Sequence, residues 1–197
     1  VVNLVMETVA ALGIKDITIC ASSLGAAHDP VAKLIEEGVV TGIQSSGGRG
    51  KIGEAISGGR LKNPAVIRSH GGRVRAIEEG DVHIDIAFIG ASTSDEYGNA
   101  RGVGGKSNCG VLSYSMVDAK YADHVVVVTD CLVEYPNLPA SISQVDVDYV
   151  VEVEAIGNPD KIVSNVVRMT NDVRELKMAE YCARVIAKAP FFKDGFS

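Results

Sequence analysis

No apolar run in this 197-residue sequence approaches the about 20 residues that a membrane-spanning helix needs, and no secretory leader pattern opens it. Positive charge is also scarce. The chain has 19 Lys and Arg against 25 Asp and Glu, a net charge of −6. That balance argues against non-specific binding to nucleic acid or to an anionic membrane, although a local group of basic residues can still hold an anion. The four cysteines, Cys20, Cys109, Cys131 and Cys182, form no CxxC pair and no Cys/His zinc spacing. Free thiols in a reducing cytosol are therefore expected. His28, His83 and His124 are scattered without metal spacing, and no metal is assigned. A Walker GxxxxGK[ST] motif is missing, the turn after the second strand is read as lacking a dinucleotide fingerprint, and no Gly-x-Ser-x-Gly elbow occurs. P-loop, Rossmann and α/β-hydrolase chemistry are set aside on those grounds.

What is present centres on Ile84 to Gly110. The run Ile84 to Ile89 is apolar except for Asp85, the pattern of a strand covered on both faces. From Gly90 onwards the sequence is Gly, Ser, Thr, Asn, Asp and charge, which reads as a long loop leaving a strand end. In open α/β sheets ligands bind at that end. Asp95, Glu96, Gly98, Asn99 and Asn108 are its candidate ligand contacts. Two earlier turns repeat a theme of strand, polar residue and Gly-Gly-Arg: Ser45-Ser46-Gly47-Gly48-Arg49 and Ser69-His70-Gly71-Gly72-Arg73. Backbone N–H groups, hydroxyls and a guanidinium before a helix suit a phosphate or a carboxylate, and a histidine at a strand end can bind or move a proton. A tight turn with a surface arginine is the competing reading for the first motif, and a histidine satisfied by a loop carbonyl for the second.

In chain order, helices are expected over Val2–Leu12, after a capping Asp29-Pro30, over Lys51–Ser57, over Val74–Glu79, over Tyr114–Ala122 and over Thr170–Ala189. The last carries a buried stripe of Leu176, Ala179, Cys182, Val185 and Ile186 behind an Asp172/Glu175 capping box. Strands alternate with these helices at Ile17, Val39, Ala65, Ile84, His124 and Val147. The alternation implies an α/β fold: an open, mostly parallel sheet with helices on both faces, in a single domain over 1–197. Arg73 is expected to project from its loop, with a surface pairing to Glu78 as the alternative.

Asp95-Glu-Tyr-Gly-Asn99 resembles the Asp-x-x-Gly-Asn loop of CoA transferases. Lys106 to Gly110, Val117 to Lys120, Val125 to Thr129 and Pro139 to Val153 also match that family. Ser69 to Val74, Asp81 to Gly90, Arg168 to Leu176 and Phe192 to Ser197 resemble the citrate lyase α subunits within it. The resemblance implies a CoA-transferase-like domain, taken as the first of two and lacking its opening strand. It also implies a cytoplasmic citrate CoA-transferase, exchanging acetyl for citryl on an acyl-carrier thioester and releasing acetate. The partners implied are an acyl-carrier γ subunit with a dephospho-CoA-derived prosthetic arm and a citryl-lyase β subunit, in an oligomer. Arg49 and Arg73 would then hold citrate carboxylates. The alternatives are an acyl-CoA hydrolase, another CoA transferase or a phosphosugar isomerase of the same fold, and a non-catalytic carrier-docking or assembly domain.

Overall fold

Ile17–Ala21 (β1), Val40–Ser45 (β2) and Val66–Ile67 (β3) pair in parallel in the order β1-β2-β3. Ile84–Ala91 (β4), Ala122–Thr129 (β7) and Tyr149–Glu152 (β8) form a second parallel sheet in the order β4-β7-β8. Thr93–Ser94 (β5) and Ala100–Arg101 (β6) make a small antiparallel pair inside the stretch read as an irregular loop. The parallel ladders and their helical crossovers match the expected class. The expected single sheet is two hydrogen-bonded ladders. Between them, Cys20 of β1 packs on the core of the second sheet instead of extending its ladder.

The computed structural model describes residues 1–162 and 169–190. They belong to two compact units, Val1–Ile162 and Val163–Ser197. Arg168 and the Phe192 to Ser197 motif lie outside the described residues.

Helices Val2–Ala11 (α1), Val31–Glu36 (α2) and Gly50–Ser57 (α3) place Met6, Val31, Leu34, Ile35, Ile52 and Ala55 in one core with Ile19, Val40 and Ile43. Helices His70–Glu78 (α4) and Ser115–Tyr121 (α5) place Ala76, Ile77 and Ala119 in another with Ala87, Ile89, Val125 and Val127. Fully burying each Val, Leu, Ile or Met among these stabilises by roughly 1.5–3 kcal/mol.

Four local expectations are corrected. Helix α4 begins at His70, not Val74, because Ser69 caps it by accepting from the Gly72 N–H at 3.1 Å. Asp29 does not cap α2; its carboxylate accepts from the Lys51 N–H at 2.9 Å, at the start of α3. Strand β4 is covered on one face only. Ile86 and Phe88 are 50% and 44% exposed, because alternate residues of a strand point to opposite faces and α4 and α5 pack on the Ala87 side. In the second unit, helix Val173–Ala187 (α6) is capped by Asp172, which accepts from the Arg174 N–H at 2.8 Å. Its Leu176, Val185 and Ile186 stripe is exposed, since α6 is the one helix described in that unit.

Candidate functional site at the strand ends

The loops after β1 and β2 are tied together by backbone hydrogen bonds. Ser46 N–H donates to the Ser22 carbonyl at 3.0 Å, Leu24 N–H to Gly47 at 3.1 Å and Arg49 N–H to Leu24 at 2.9 Å. Ser45 is buried and spends its hydroxyl on the turn, donating to the Gly47 carbonyl at 3.0 Å, so it is a structural residue. The Ser46 hydroxyl oxygen is buried and has no partner among the described residues. Arg49 is exposed at the start of α3. Gly48, Gly50 and Gly53 do stand at G-x-G-x-x-G spacing, which corrects the reading of this turn. The close fit expected of such glycines is there: a Cβ at Gly53 would meet the Gly48 carbonyl oxygen at 2.9 Å. The helix start that would receive a pyrophosphate, however, already holds the Asp29 carboxylate on Lys51 N–H.

The β3 turn departs further from expectation. His70 is exposed and stacks on Tyr114, ring centroids 5.1 Å apart, joining the first residue of α4 to the segment after the long loop. Gly71 and Gly72 form the first turn of α4 with Ser69 as its cap. Arg73 does not project: it is 2% exposed. Its Nη2 donates to Asp118 Oδ1 at 2.8 Å and to the Cys20 carbonyl at 3.4 Å, while Nε and Nη1 have no partner among the described residues. One helical turn puts Arg73 on the buried side of α4 with Ile77, and Asp118 of α5 faces it there. The expected surface partner, Glu78, takes no part. Burial pushes the Asp118 carboxyl above its ordinary value despite the adjacent guanidinium. Burial likewise pushes the Cys20 thiol up against the pull of Arg73, so it stays protonated.

Asp95 is the centre of the long loop and is fully buried. Oδ1 accepts from Tyr97 N–H and Asn99 N–H, both at 3.0 Å; Oδ2 accepts from Asn99 Nδ2 at 2.8 Å and Asn137 N–H at 2.9 Å. Burial alone would raise its pKa, but these hydrogen bonds outweigh it and hold the carboxyl below the usual range. Asn99 is buried beside it and bonds Gln144 through both side-chain atoms. Gly98 closes the turn at φ +99° against the Val147 side chain. Asp95, Gly98 and Asn99 therefore shape the loop from within and are not open ligand contacts. Glu96 points outward with Leu132, Val133, Glu134 and Tyr135 around a shallow groove of about 550 Å³. Asn108 is exposed. Among the described residues no hydrogen bond or ion pair joins the Ser45–Gly50 loop to the Asp95–Asn108 loop.

Sequence reasoning missed Asp118, Asn137, Gln144 and Asp130. Asp130 follows β7 and accepts from Ser107 Oγ at 2.7 Å and Ile156 N–H at 3.1 Å. A polar residue directly after a confident strand was the available signal. Asn137 and Gln144 act across 38 and 45 residues, beyond any local pattern.

The parallel sheets, with glycine loops and buried polar turns at their carboxyl ends, have the α/β fold seen in CoA transferases. An acyl-CoA transferase from Escherichia coli O157:H7 shares the fold, with a TM-score of 0.65 at 15% identity over 92% of this chain and 47% of that one. The chain belongs to the citrate lyase α-subunit family, whose model (Citrate lyase, alpha subunit, CitF) matches residues 1–197. It is 51% identical to the citrate lyase alpha chain of Haemophilus influenzae over 197 residues, which is 100% of this chain and 39% of that one. It is 56% identical to the citrate lyase α subunit of Streptococcus mutans, solved in complex with citrate, with a TM-score of 0.92 over 100% of this chain and 38% of that one. The chain thus spans about two-fifths of the length of the curated relatives it matches.

Proposed function

We propose that this chain forms part of a citrate CoA-transferase, in which citrate displaces acetate from an acyl-carrier thioester. The observation that carries the reading is the match, along the entire chain, to a subunit solved with citrate. In the reaction a citrate carboxylate attacks the acetyl thioester carbonyl and the carrier thiolate leaves. That thiolate then attacks the citryl carbonyl of the mixed anhydride and acetate departs, so the protein needs no serine or cysteine nucleophile. The exposed Arg49 can take a carboxylate bidentately. Both tetrahedral intermediates carry an oxyanion, which backbone N–H groups at the glycine turns can stabilise.

The dephospho-CoA-derived arm belongs to the carrier partner and supplies the thioester sulfur. The groove lined by Leu132, Val133 and Tyr135 suits the arm's neutral thioester end, whereas its Glu96 and Glu134 carboxylates disfavour the phosphates. A γ carrier subunit and a β subunit that cleaves the citryl thioester complete this reading, in an oligomer in the cytoplasm. Among the described residues no helix is long and apolar enough to cross a membrane. The test is acetate release by the full-length protein from an acetyl-carrier thioester, with citrate and other carboxylates as acceptors. Citrate-independent hydrolysis of the thioester would replace this reading with a hydrolase.

A further inference from the structure

We propose that His83, Asp85 and Asp123 bind a divalent transition-metal ion at the amino-terminal edge of the β4-β7-β8 sheet. His83 and Asp85 stand two residues apart at the opening of β4 and share a face. The register pairs Ile84 with Ala122 and Ile86 with His124, which sets Asp85 beside Asp123 on the adjacent strand. Two carboxylates at neighbouring positions of paired strands repel. No lysine or arginine pairs with either among the described residues; the only basic group on them is His83. Its Nε2 lies 3.0 Å from Asp123 Oδ2 and 3.9 Å from Asp85 Oδ1, and one donor atom from each of the three falls within 4.8 Å of the others.

Donors held about 2.1 Å from a metal at tetrahedral or octahedral angles are about 3.0–3.4 Å from one another. The His83–Asp123 pair already has that spacing. Asp85 Oδ1, 3.9 Å from the imidazole on a side chain that is 90% exposed, would close the remaining gap of about half an ångström to one ångström by side-chain rotation. One imidazole nitrogen with two carboxylates suits zinc, cobalt or nickel over calcium or magnesium, which favour all-oxygen shells. Water completes the coordination, since all three side chains are exposed. The ion replaces repulsion between Asp85 and Asp123, the second residues of β4 and β7, with shared ligation. The site lies at the end of the strands opposite the loops described above, so it stands whether or not the proposed transferase reading does.

The test uses full-length protein stripped with chelator and dialysed against zinc or cobalt chloride, with metal content and cobalt visible absorption as readouts. His83→Ala and Asp123→Asn change exposed side chains, and unaltered circular dichroism checks the fold. The expected result is saturable binding of one ion per chain, weakened about 10- to 100-fold in each variant. Absence of saturable binding, or binding that either variant leaves unchanged, overturns the proposal.

Discussion

The Arg73 guanidinium, buried between α4 and α5, lies 2.8 Å from the carboxylate of Asp118, which is itself partly exposed. This pair holds Arg73 within the fold and not on an exposed loop, where the sequence pattern places it. Asp118→Ala would leave an uncompensated buried cation and is expected to destabilise by roughly 3–5 kcal/mol. The double change Arg73→Met with Asp118→Leu should cost less than Asp118→Ala alone, because it removes both charges. Urea denaturation midpoints of the full-length variants measure this. A small loss for Asp118→Ala would show that the pair is solvated.

Asp95 and Asp118 give opposite pH dependences. The folded Asp95 carboxyl sits below its ordinary value, so its contribution is full above the usual carboxylate range and is lost as pH falls through the lower folded value. Asp118 is raised, so folding retains its proton just above the ordinary range, and that contribution is lost as pH rises through the folded value. Asp95→Asn turns an acceptor into a donor facing N–H groups. It is expected to cost about 1.5–3 kcal/mol near neutral pH and to flatten the acid limb of a stability–pH curve. An unchanged limb would remove Asp95 as its source.

Arg49 is the exposed arginine of the β2 turn, and its replacement should separate binding from folding. Arg49→Ala is expected to keep the thermal midpoint and to raise the citrate KM by about 10- to 100-fold, the loss of one charge-assisted contact. Arg49→Lys should restore part of this, since it keeps the charge and not the planar fork. Steady-state thioester exchange read beside thermal unfolding decides it, and an unaltered citrate dependence excludes Arg49.

Gly98→Ala probes the turn that Asp95 closes. Its φ of +99° disfavours any side chain, and a Cβ there would meet Val147 Cβ at 2.7 Å. A loss above about 1 kcal/mol is expected, with the native-state protection of the Tyr97 and Asn99 amides reduced in hydrogen exchange. Protection equal to the parent would show that the turn relaxes around the methyl.

The parallel strands were legible because their apolar runs are long and bounded by turn residues, as at Val125 to Val128. Arg73 was not legible. Two glycines before it read as loop, yet the Ser69 cap and the tertiary partner Asp118, 45 residues away, draw that stretch into a helix and its arginine inward. Asp95 is legible as a key residue from its turn sequence, but its buried place inside the loop is not. Its burial depends on Asn137 and on the β8-side residues Gln144 and Val147, which no local window connects to it. The uncovered side of β4 escaped notice for a related reason: an unbroken apolar run cannot reveal which face has a helix over it.

The Asp29 carboxylate at the start of α3 has a consequence for anion selectivity. Being part of the chain, it competes for the Lys51 N–H at an effective concentration far above that of any dissolved phosphate or sulfate. Small inorganic anions are thereby disfavoured at the helix start, and in the proposed transferase an anionic substrate would gain affinity in this turn through groups that Asp29 leaves unoccupied, foremost the Arg49 guanidinium. Such a substrate would then be distinguished from abundant simple anions by its reach and its several carboxylates, and not by charge alone.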